Sequence, residues 1–240
     1  MNISGVPGSD RAYRKAFWLL SLVLAAGLCL PGARADDDLE MPVYTQPCRG
    51  APVTRIGVGT RGNVTDLPTV QVLAPDHTGH TSRSQPVLFW YLASSLPVQV
   101  DFTLTPEVVI EPLMEARLEI ASGTGIQRIQ LADYDFRLEP GVSYRWTVML
   151  VPDAEQAAGT VYSSAVIRRV LLPEDEKEEL ESVGGEERVS AYAAAGLWYD
   201  SLESVTESVQ ADKTSIRLQQ VWQSLLQQAD LSIAASVPGN

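Results

Sequence analysis

Hydrophobic and polar residues alternate in short segments between residues 69 and 171, and turn residues separate one segment from the next. Such alternation is typical of strands with one buried and one solvated face. Seven segments of this kind fit an immunoglobulin-like or fibronectin-III-like antiparallel β-sandwich. They are Thr69–Ala74, Pro86–Leu92, Val98–Leu104, Met114–Ile120, Ile126–Leu131, Tyr144–Leu150 and Ala165–Leu171.

Two of these segments carry further information. Pro86–Leu92 is apolar on both faces, which predicts a central strand that is covered on each side. Its second face, formed by Leu88, Trp90 and Leu92, becomes a binding surface if nothing in the chain covers it. Leu138–Leu150 contains the pattern Leu-x-Pro-Gly-x-x-Tyr-x-Trp, which is typical of the tyrosine corner of such sandwiches.

The corner pattern predicts structural roles for five residues. Pro140 and Gly141 reverse the chain, and Leu138 folds beneath the turn. Tyr144 buries its ring and bonds the backbone of the turn through its hydroxyl, and Trp146 faces the same core. The position of Trp146 holds a cysteine in antibody domains, so we expect a sandwich without that disulfide.

After Pro173 the apolar spacing changes to that of helices. A short acidic helix is predicted at Glu174–Leu180, a long one at Glu186–Gln210 and a third at Ile216–Leu231. The last two form an antiparallel hairpin because their spacer is short. Within them, Ala195–Leu202 resembles the middle of a single tetratricopeptide repeat. The hairpin either packs on the sandwich or docks on a partner, with Trp198 and Trp222, and Trp90 of the sandwich, as candidate anchors.

The N-terminus predicts export. Basic residues precede an apolar run from Phe17 to Leu30, and Ala33-Arg34-Ala35 ends in a cleavage site. The alternative is a retained anchor. Cleavage after Ala35 predicts a periplasmic or secreted bacterial protein without a stable membrane anchor. The predicted organisation is a signal peptide over 1–35, an irregular lead-in over 36–68, the sandwich over 69–172 and a helical segment over 173–240.

Charge and cysteine content narrow the class of partner. The chain carries a net charge of −12, and removing residues 1–35 leaves 14 Lys and Arg against 29 Asp and Glu, a net −15. A surface of this sign argues against nucleic acid as a partner. Cys48 is the one cysteine of the mature chain, so it either cross-links two chains or is incidental. The oligomeric state is left open.

Three groups of residues are candidates for chemistry. Asp76, His77 and His80 provide metal ligands on a loop, or simply form a turn before the central strand. Gly57-x-Gly59-x-x-Gly62 spells a dinucleotide fingerprint, but no helix start follows it, so a glycine-rich loop is the alternative. Asp133, Asp135 and Glu139 are candidates for acid–base work or for capping turns.

Several motifs taken together resemble one bacterial family, the domain of unknown function 928 family. They are Arg49-Gly50-Ala51-Pro52, the Gly57–Gly62 run, VLAPDHTGHTSRSQPVLFWYL, LADYDFRLEPGVSYRWTVMLVPD and AAAGLWYDSL. The resemblance implies exported proteins with no established activity, cofactor or catalytic residue. We therefore expect a non-enzymatic protein without a cofactor that acts on an unknown protein partner as an interaction or envelope scaffold module. The alternative is a metal- or ligand-binding module that uses the His77/His80 loop.

Overall fold

Strands and then helices form in the order that the sequence predicts. The computed structural model describes residues 40–47, 69–94, 98–120, 123–151 and 161–231, which apart from Glu40 belong to one unit, Met41–Asn240. Within these ranges the chain is α+β, with two sheets followed by four helices. The strands are β1 (Thr69–Val72), β2 (Gly79–Thr81), β3 (Val87–Ser94), β4 (Val98–Pro106), β5 (Met114–Ile120), β6 (Gly123–Gln130), β7 (Ser143–Val151) and β8 (Val161–Arg169).

The strands divide into a three-stranded sheet, in the order β1-β3-β6, and a five-stranded sheet, in the order β2-β8-β7-β4-β5. All neighbours are antiparallel except β2 and β8, which run parallel. The seven predicted strand segments all correspond to strands. The sequence missed β2 because its three residues, Gly-His-Thr, are too few and too polar to show a pattern.

Burial follows the predicted alternation. On β7, Tyr144, Trp146, Val148 and Leu150 are buried while the residues between them are partly exposed. The register pairs Leu104 with Trp146 and Phe102 with Val148, which continues the apolar face across to β4. The first six residues of β3 are all buried, as expected for a central strand covered on both faces.

The helices are α1 (Glu174–Ser182), α2 (Gly185–Ala194), α3 (Trp198–Ala211) and α4 (Ile216–Gln228). The prediction of one helix over Glu186–Gln210 is wrong, because the chain breaks between α2 and α3. Gly196 has φ +73° there, and a Cβ at this position would lie 2.8 Å from the carbonyl oxygen of Thr45. A left-handed residue ends a helix, and the close approach of the lead-in segment leaves room only for glycine.

The helical unit packs on the sandwich, which was one of the two alternatives. Buried residues of α2, α3 and α4 belong to the same apolar cluster as those of the two sheets. The lead-in joins this cluster through Tyr44, and the Thr45 amide donates to the Ala193 carbonyl over 3.0 Å. No helix among the described residues is long and apolar enough to cross a membrane.

Candidate functional site

Trp198 and Tyr199, at the start of α3, reach into the sandwich. The Trp198 indole donates to the Leu73 carbonyl over 3.0 Å. The Tyr199 hydroxyl accepts from Trp146 Nε1 over 2.9 Å and lies 3.3 Å from the Val166 carbonyl, to which it donates. Burial raises the pKa of the Tyr199 phenol, so the hydroxyl keeps the proton that it donates. These contacts fix α3 against β7, β8 and the segment after β1.

A glycine on β2 makes space for the Tyr199 ring. A Cβ on Gly79 would lie 2.7 Å from Tyr199 Cε2, well inside van der Waals contact. Glycine in a strand often marks such a close approach. The short β2 strand and the start of α3 therefore fit against each other. This contact brings Ser82 and Arg83, which follow β2, close to Asp200 and Glu203 of α3.

In the first two turns of α3, two carboxyl groups contact the residues that follow β2. Asp200 is fully buried and accepts from the Ser82 hydroxyl over 2.7 Å and from the Ser82 amide over 3.2 Å. Glu203, on the same side of α3, accepts from Arg83 Nη1 over 2.7 Å. Arg83 Nε lies 3.6 Å from Asp200 Oδ1, so one guanidinium forms ion pairs with both Asp200 and Glu203.

Burial dominates the electrostatics of this cluster. It raises the pKa of Asp200 although Ser82, Thr81 and Arg83 oppose the shift. Burial also raises the pKa of Glu203 to about 7, because the pull of Arg83 is too small to offset desolvation and the nearby charge of Glu207 adds to the rise. The Glu203 carboxyl group therefore has a pKa close to neutral pH.

A cleft of about 560 Å³ opens beside Arg83, between the edge of the five-stranded sheet and helices α1 and α2. Its basic side chains are Arg83, Arg169, Lys177 and Arg188, and its acidic ones are Glu174 and Glu181. The rest of the wall is mostly apolar and comes from Val170, Leu171, Leu172, Leu180 and Tyr192. The volume lies in the range of small-molecule sites.

A comparison with known protein families identifies the family of this chain. The model of the family described as Domain of Unknown Function (DUF928) matches residues 56–239. The chain belongs to this family. No curated protein matches it. In this member of the DUF928 family, two of the segments that suggested the resemblance, residues 72–92 and 193–202, come together at Tyr199 and Asp200.

The histidine loop of this DUF928 protein is occupied by internal contacts. His77 Nε2 lies 3.0 Å from the Tyr44 hydroxyl, and His77 Nδ1 lies 3.1 Å from Asp76. His80 lies on β2, where burial, Arg168 and His77 lower the pKa of its imidazole. Among the described residues, no three His, Cys, Asp or Glu side chains gather as a metal site would require. The metal hypothesis for Asp76, His77 and His80 remains a prediction.

The three tryptophans suggested as partner anchors all lie inside the molecule. Trp90, Trp198 and Trp222 are at most 1% exposed, because the helices and both sheets share one core. In this conformation their side chains are not offered to a partner. The second face of β3, with Leu88 and Leu92, is covered in the same way.

The predicted corner residues lie at and before the start of β7, next to the end of β8. Leu138 and Tyr144 are buried, and the Glu139 amide donates to the Tyr144 hydroxyl over 3.3 Å. Gly141 has φ +79°, and its amide donates to the Arg169 carbonyl over 2.8 Å. Pro140 forms a bridge to Arg169. The corner thus lies against the strand end that leads into the cleft.

The remaining candidates divide into exposed and undescribed residues. Asp133, Asp135 and Glu139 are exposed to solvent, so they lack the desolvation that acid–base catalysis needs. Asp135 has φ 50° and closes a short 3₁₀ turn. Cys48, the Gly57–Gly62 run and the predicted signal segment lie outside the described residues.

The polar groups of this site were not predicted from the sequence; they are Ser82, Arg83, Arg169, Asp200 and Glu203. An acidic residue at the start of an otherwise apolar helical stripe was the available signal, since Asp200 and Glu203 lie three residues apart and share a helix face. Their basic partner stands more than 100 residues earlier in the chain, and no local pattern connects the two.

Proposed function

We propose that this protein is exported, is not an enzyme, and works by protein–protein interaction in the periplasm or at the cell envelope. The sandwich is the scaffold, and the contact surface is the loop between β4 and β5. The helical hairpin is not proposed as the contact surface, because its tryptophans, Trp198 and Trp222, lie in the core. The observation that carries the proposal is the exposure of aliphatic side chains in that loop.

Four large aliphatic residues stand in the solvent within six positions. Val108 is 89% exposed, Ile110 96%, Leu113 59% and Val109 47%. Single exposed aliphatic residues are common on soluble proteins, but a contiguous group of them is typical of an interaction surface. We name residues 107–113 the apolar loop.

Hydrogen bonds fix the backbone of the apolar loop. The Val109 amide donates to the Pro106 carbonyl over 3.1 Å, and the Leu113 amide donates to the Leu104 carbonyl over 2.9 Å. At its base, Glu107 pairs with Arg145 over 2.9 Å. A loop that is ordered before binding loses less conformational entropy in the complex.

The partner that fits best is a protein with an apolar groove and a basic rim. The exposed Glu111 lies among the aliphatic residues of the loop and the exposed Glu115 follows them, and the whole chain is acidic. Acidic flanks also disfavour insertion into an anionic membrane, which attracts basic segments. The charges therefore favour a protein over a lipid surface.

Two finer features belong to the same proposal. The strand orders β1-β3-β6 and β2-β8-β7-β4-β5, together with the corner at Tyr144, support a sandwich of the immunoglobulin or fibronectin-III class. The basic, apolar and small-residue pattern up to Ala35 supports cleavage there and export.

Site-specific photo-crosslinking in cells tests the proposal. A photoreactive residue at position 110 is expected to yield a discrete cross-linked species, and one at Ile216, an isolated exposed residue (71%) at the start of α4, is not. Ile110→Asp is expected to abolish capture of the same species by the purified protein, and Ile216→Asp to leave it intact. Equal cross-linking at both positions, or capture that survives Ile110→Asp, overturns the proposal.

A further inference from the structure

The cleft beside Arg83 contains two arginines that are held in place without an anionic partner. Arg169 donates from Nε to the Ser82 carbonyl over 3.4 Å and from Nη1 to the Leu138 carbonyl over 3.3 Å. Arg188 donates from Nε to the Val183 carbonyl over 2.8 Å. Among the described residues, neither guanidinium has a carboxylate within ion-pairing distance.

The other two basic groups of the cleft are already engaged. Arg83 serves Glu203 and Asp200, and Lys177 lies 3.3 Å from Glu174 on the same helix. After these pairs are set aside, Arg169 and Arg188 face only Glu181 among the acidic residues of the wall. The lining of the cleft has four basic side chains against two acidic ones, and two further carboxyl groups, those of Asp200 and Glu203, contact Arg83 from outside the lining. Within the described residues, Arg169 and Arg188 are the basic groups of the lining that no carboxylate contacts, although the chain as a whole carries −12.

Backbone carbonyls orient both arginines and leave terminal nitrogens available. Arg169 keeps Nη2, and Arg188 keeps Nη1 and Nη2, with no hydrogen bond to any described residue. Both side chains are half-buried. A guanidinium that is oriented and partly desolvated binds an oxyanion with little further ordering, and its planar N–H groups match carboxylate oxygens.

The apolar part of the cleft wall favours an anion that also has an apolar portion. Leu180 and Tyr192 are buried, and they form a small apolar cluster with Leu197 against which Val170 and Leu172 pack. The partly exposed Val170 and Leu172, packed on this cluster, give the cleft an apolar side that a fully hydrated ion such as phosphate does not use. A ligand with an apolar body would cover it and gain from removing that surface from water.

We propose that the cleft is a binding site for a small amphipathic carboxylate, whose carboxylate lies between Arg169 and Arg188 and whose apolar body lies against Val170 and Leu172, with Leu180 and Tyr192 behind them. The volume of about 560 Å³ accommodates a molecule of this class. The site is distinct from the apolar loop, which belongs to the β4–β5 connection.

Isothermal titration of the full mature chain with decanoate, below its micellar concentration, tests the site. Decanoate is expected to bind at one site, and decyltrimethylammonium, which carries the same chain with the opposite charge, is not. Inorganic phosphate is expected to bind at least about tenfold more weakly than decanoate, because it lacks the apolar contact. Equal binding of the two detergent-like ions, or no heat with decanoate, overturns the proposal.

Variants separate the cleft from other apolar surfaces. Arg188→Gln is expected to weaken decanoate binding by about tenfold or more, since a hydrogen bond to a charged group is lost. Arg128→Gln, an exposed arginine on β6, and Ile110→Asp in the apolar loop are the controls, and both should bind as the wild type does.

Arg169→Gln provides the second test, and its melting temperature is measured in parallel because Arg169 also holds two loop carbonyls. If Arg169→Gln is unfolded, the decanoate affinities of Leu180→Ala and Arg188→Gln test the site instead, and both are expected to be lower than that of the wild type. Wild-type affinity in Arg188→Gln, or loss of binding in Ile110→Asp alone, shows that decanoate binds elsewhere and sinks the cleft site. Neither outcome bears on the cross-linking test of the apolar loop.

Discussion

The indole Nε1 of Trp146 donates a hydrogen bond to the Tyr199 hydroxyl over 2.9 Å, and this bond joins β7 of the sandwich to α3 of the helical unit. Their rings also meet edge to face, with centroids 6.4 Å apart. Both residues are fully buried, so the bond lies where water cannot replace it. The two halves of the described chain are therefore tied by a polar contact in the centre of a shared core.

Tyr199→Phe is expected to lower the free energy of unfolding by about 1–3 kcal/mol. The variant keeps the ring but leaves the buried Trp146 N–H without an acceptor, and an unsatisfied buried donor costs this much. Urea unfolding followed by circular dichroism measures the change. Tyr134→Phe is the control, because Tyr134 is 40% exposed. Equal stability of the two variants would show that the bond contributes nothing.

Gly79→Ala is expected to destabilise the protein by about 1–3 kcal/mol, the usual cost of overpacking. The added methyl group would lie 2.7 Å from Tyr199 Cε2, and the surrounding core leaves that ring no room to move. Gly125→Ala is the matched control, because a Cβ at Gly125 in β6 meets nothing within 4 Å. Thermal melting of both variants checks the prediction, and a loss that is no larger at Gly79 than at Gly125 contradicts it.

Tyr144→Phe is expected to cost about 1 kcal/mol, through loss of the one hydrogen bond that the hydroxyl accepts from the Glu139 amide over 3.3 Å. Glu139 is exposed, so water can satisfy its amide in the variant and the cost stays at the lower end of the range. Differential scanning calorimetry measures the shift. An unchanged melting temperature argues against a tyrosine corner that stabilises the turn.

The raised pKa of Glu203 predicts that the free energy of unfolding falls as the pH rises. Burial raises the pKa of its carboxyl from 4.5 to about 7 in the folded chain, so the folded state binds a proton that the unfolded state has released. The contribution of the Glu203 carboxyl group to the free energy of unfolding is fully present below pH 4.5, and it is lost as the pH rises through about 7. The expected contribution to the free energy of unfolding is about 3 kcal/mol, at about 1.4 kcal/mol for each unit of the rise in pKa.

Glu203→Gln is expected to remove this dependence. The free energy of unfolding of the wild type should fall relative to that of the variant between about pH 5 and about pH 8, and chemical denaturation at each pH measures the difference. Glu187→Gln is the control, because Glu187 on α2 is exposed and is not among the charges that shift the pKa of Glu203. Parallel pH profiles for wild type and Glu203→Gln would show that folding does not raise the pKa of Glu203.

Local pattern predicted the strands because the period of two depends only on neighbouring residues. Val100, Phe102 and Leu104 on β4, and Tyr144 to Leu150 on β7, are buried on the faces that their alternation marks. The same argument failed at Glu186–Gln210. The apolar stripe continues there past Gly196, and the break depends on the approach of Thr45, which the stripe does not encode.

Local patterns were enough to predict the α+β class, the strand segments and the family resemblance, because burial periodicity and turn residues act over a few positions. Which surfaces the apolar and polar faces contact depends on residues far apart in the chain. Ser82 and Asp200 are 118 positions apart, and Leu73 and Trp198 are 125 apart. Such contacts place Tyr199 in the core, surround two carboxylates with protein and leave two arginines facing a cleft. No local pattern specifies them, since a hydrophobic period states which face is buried and not which surface covers it.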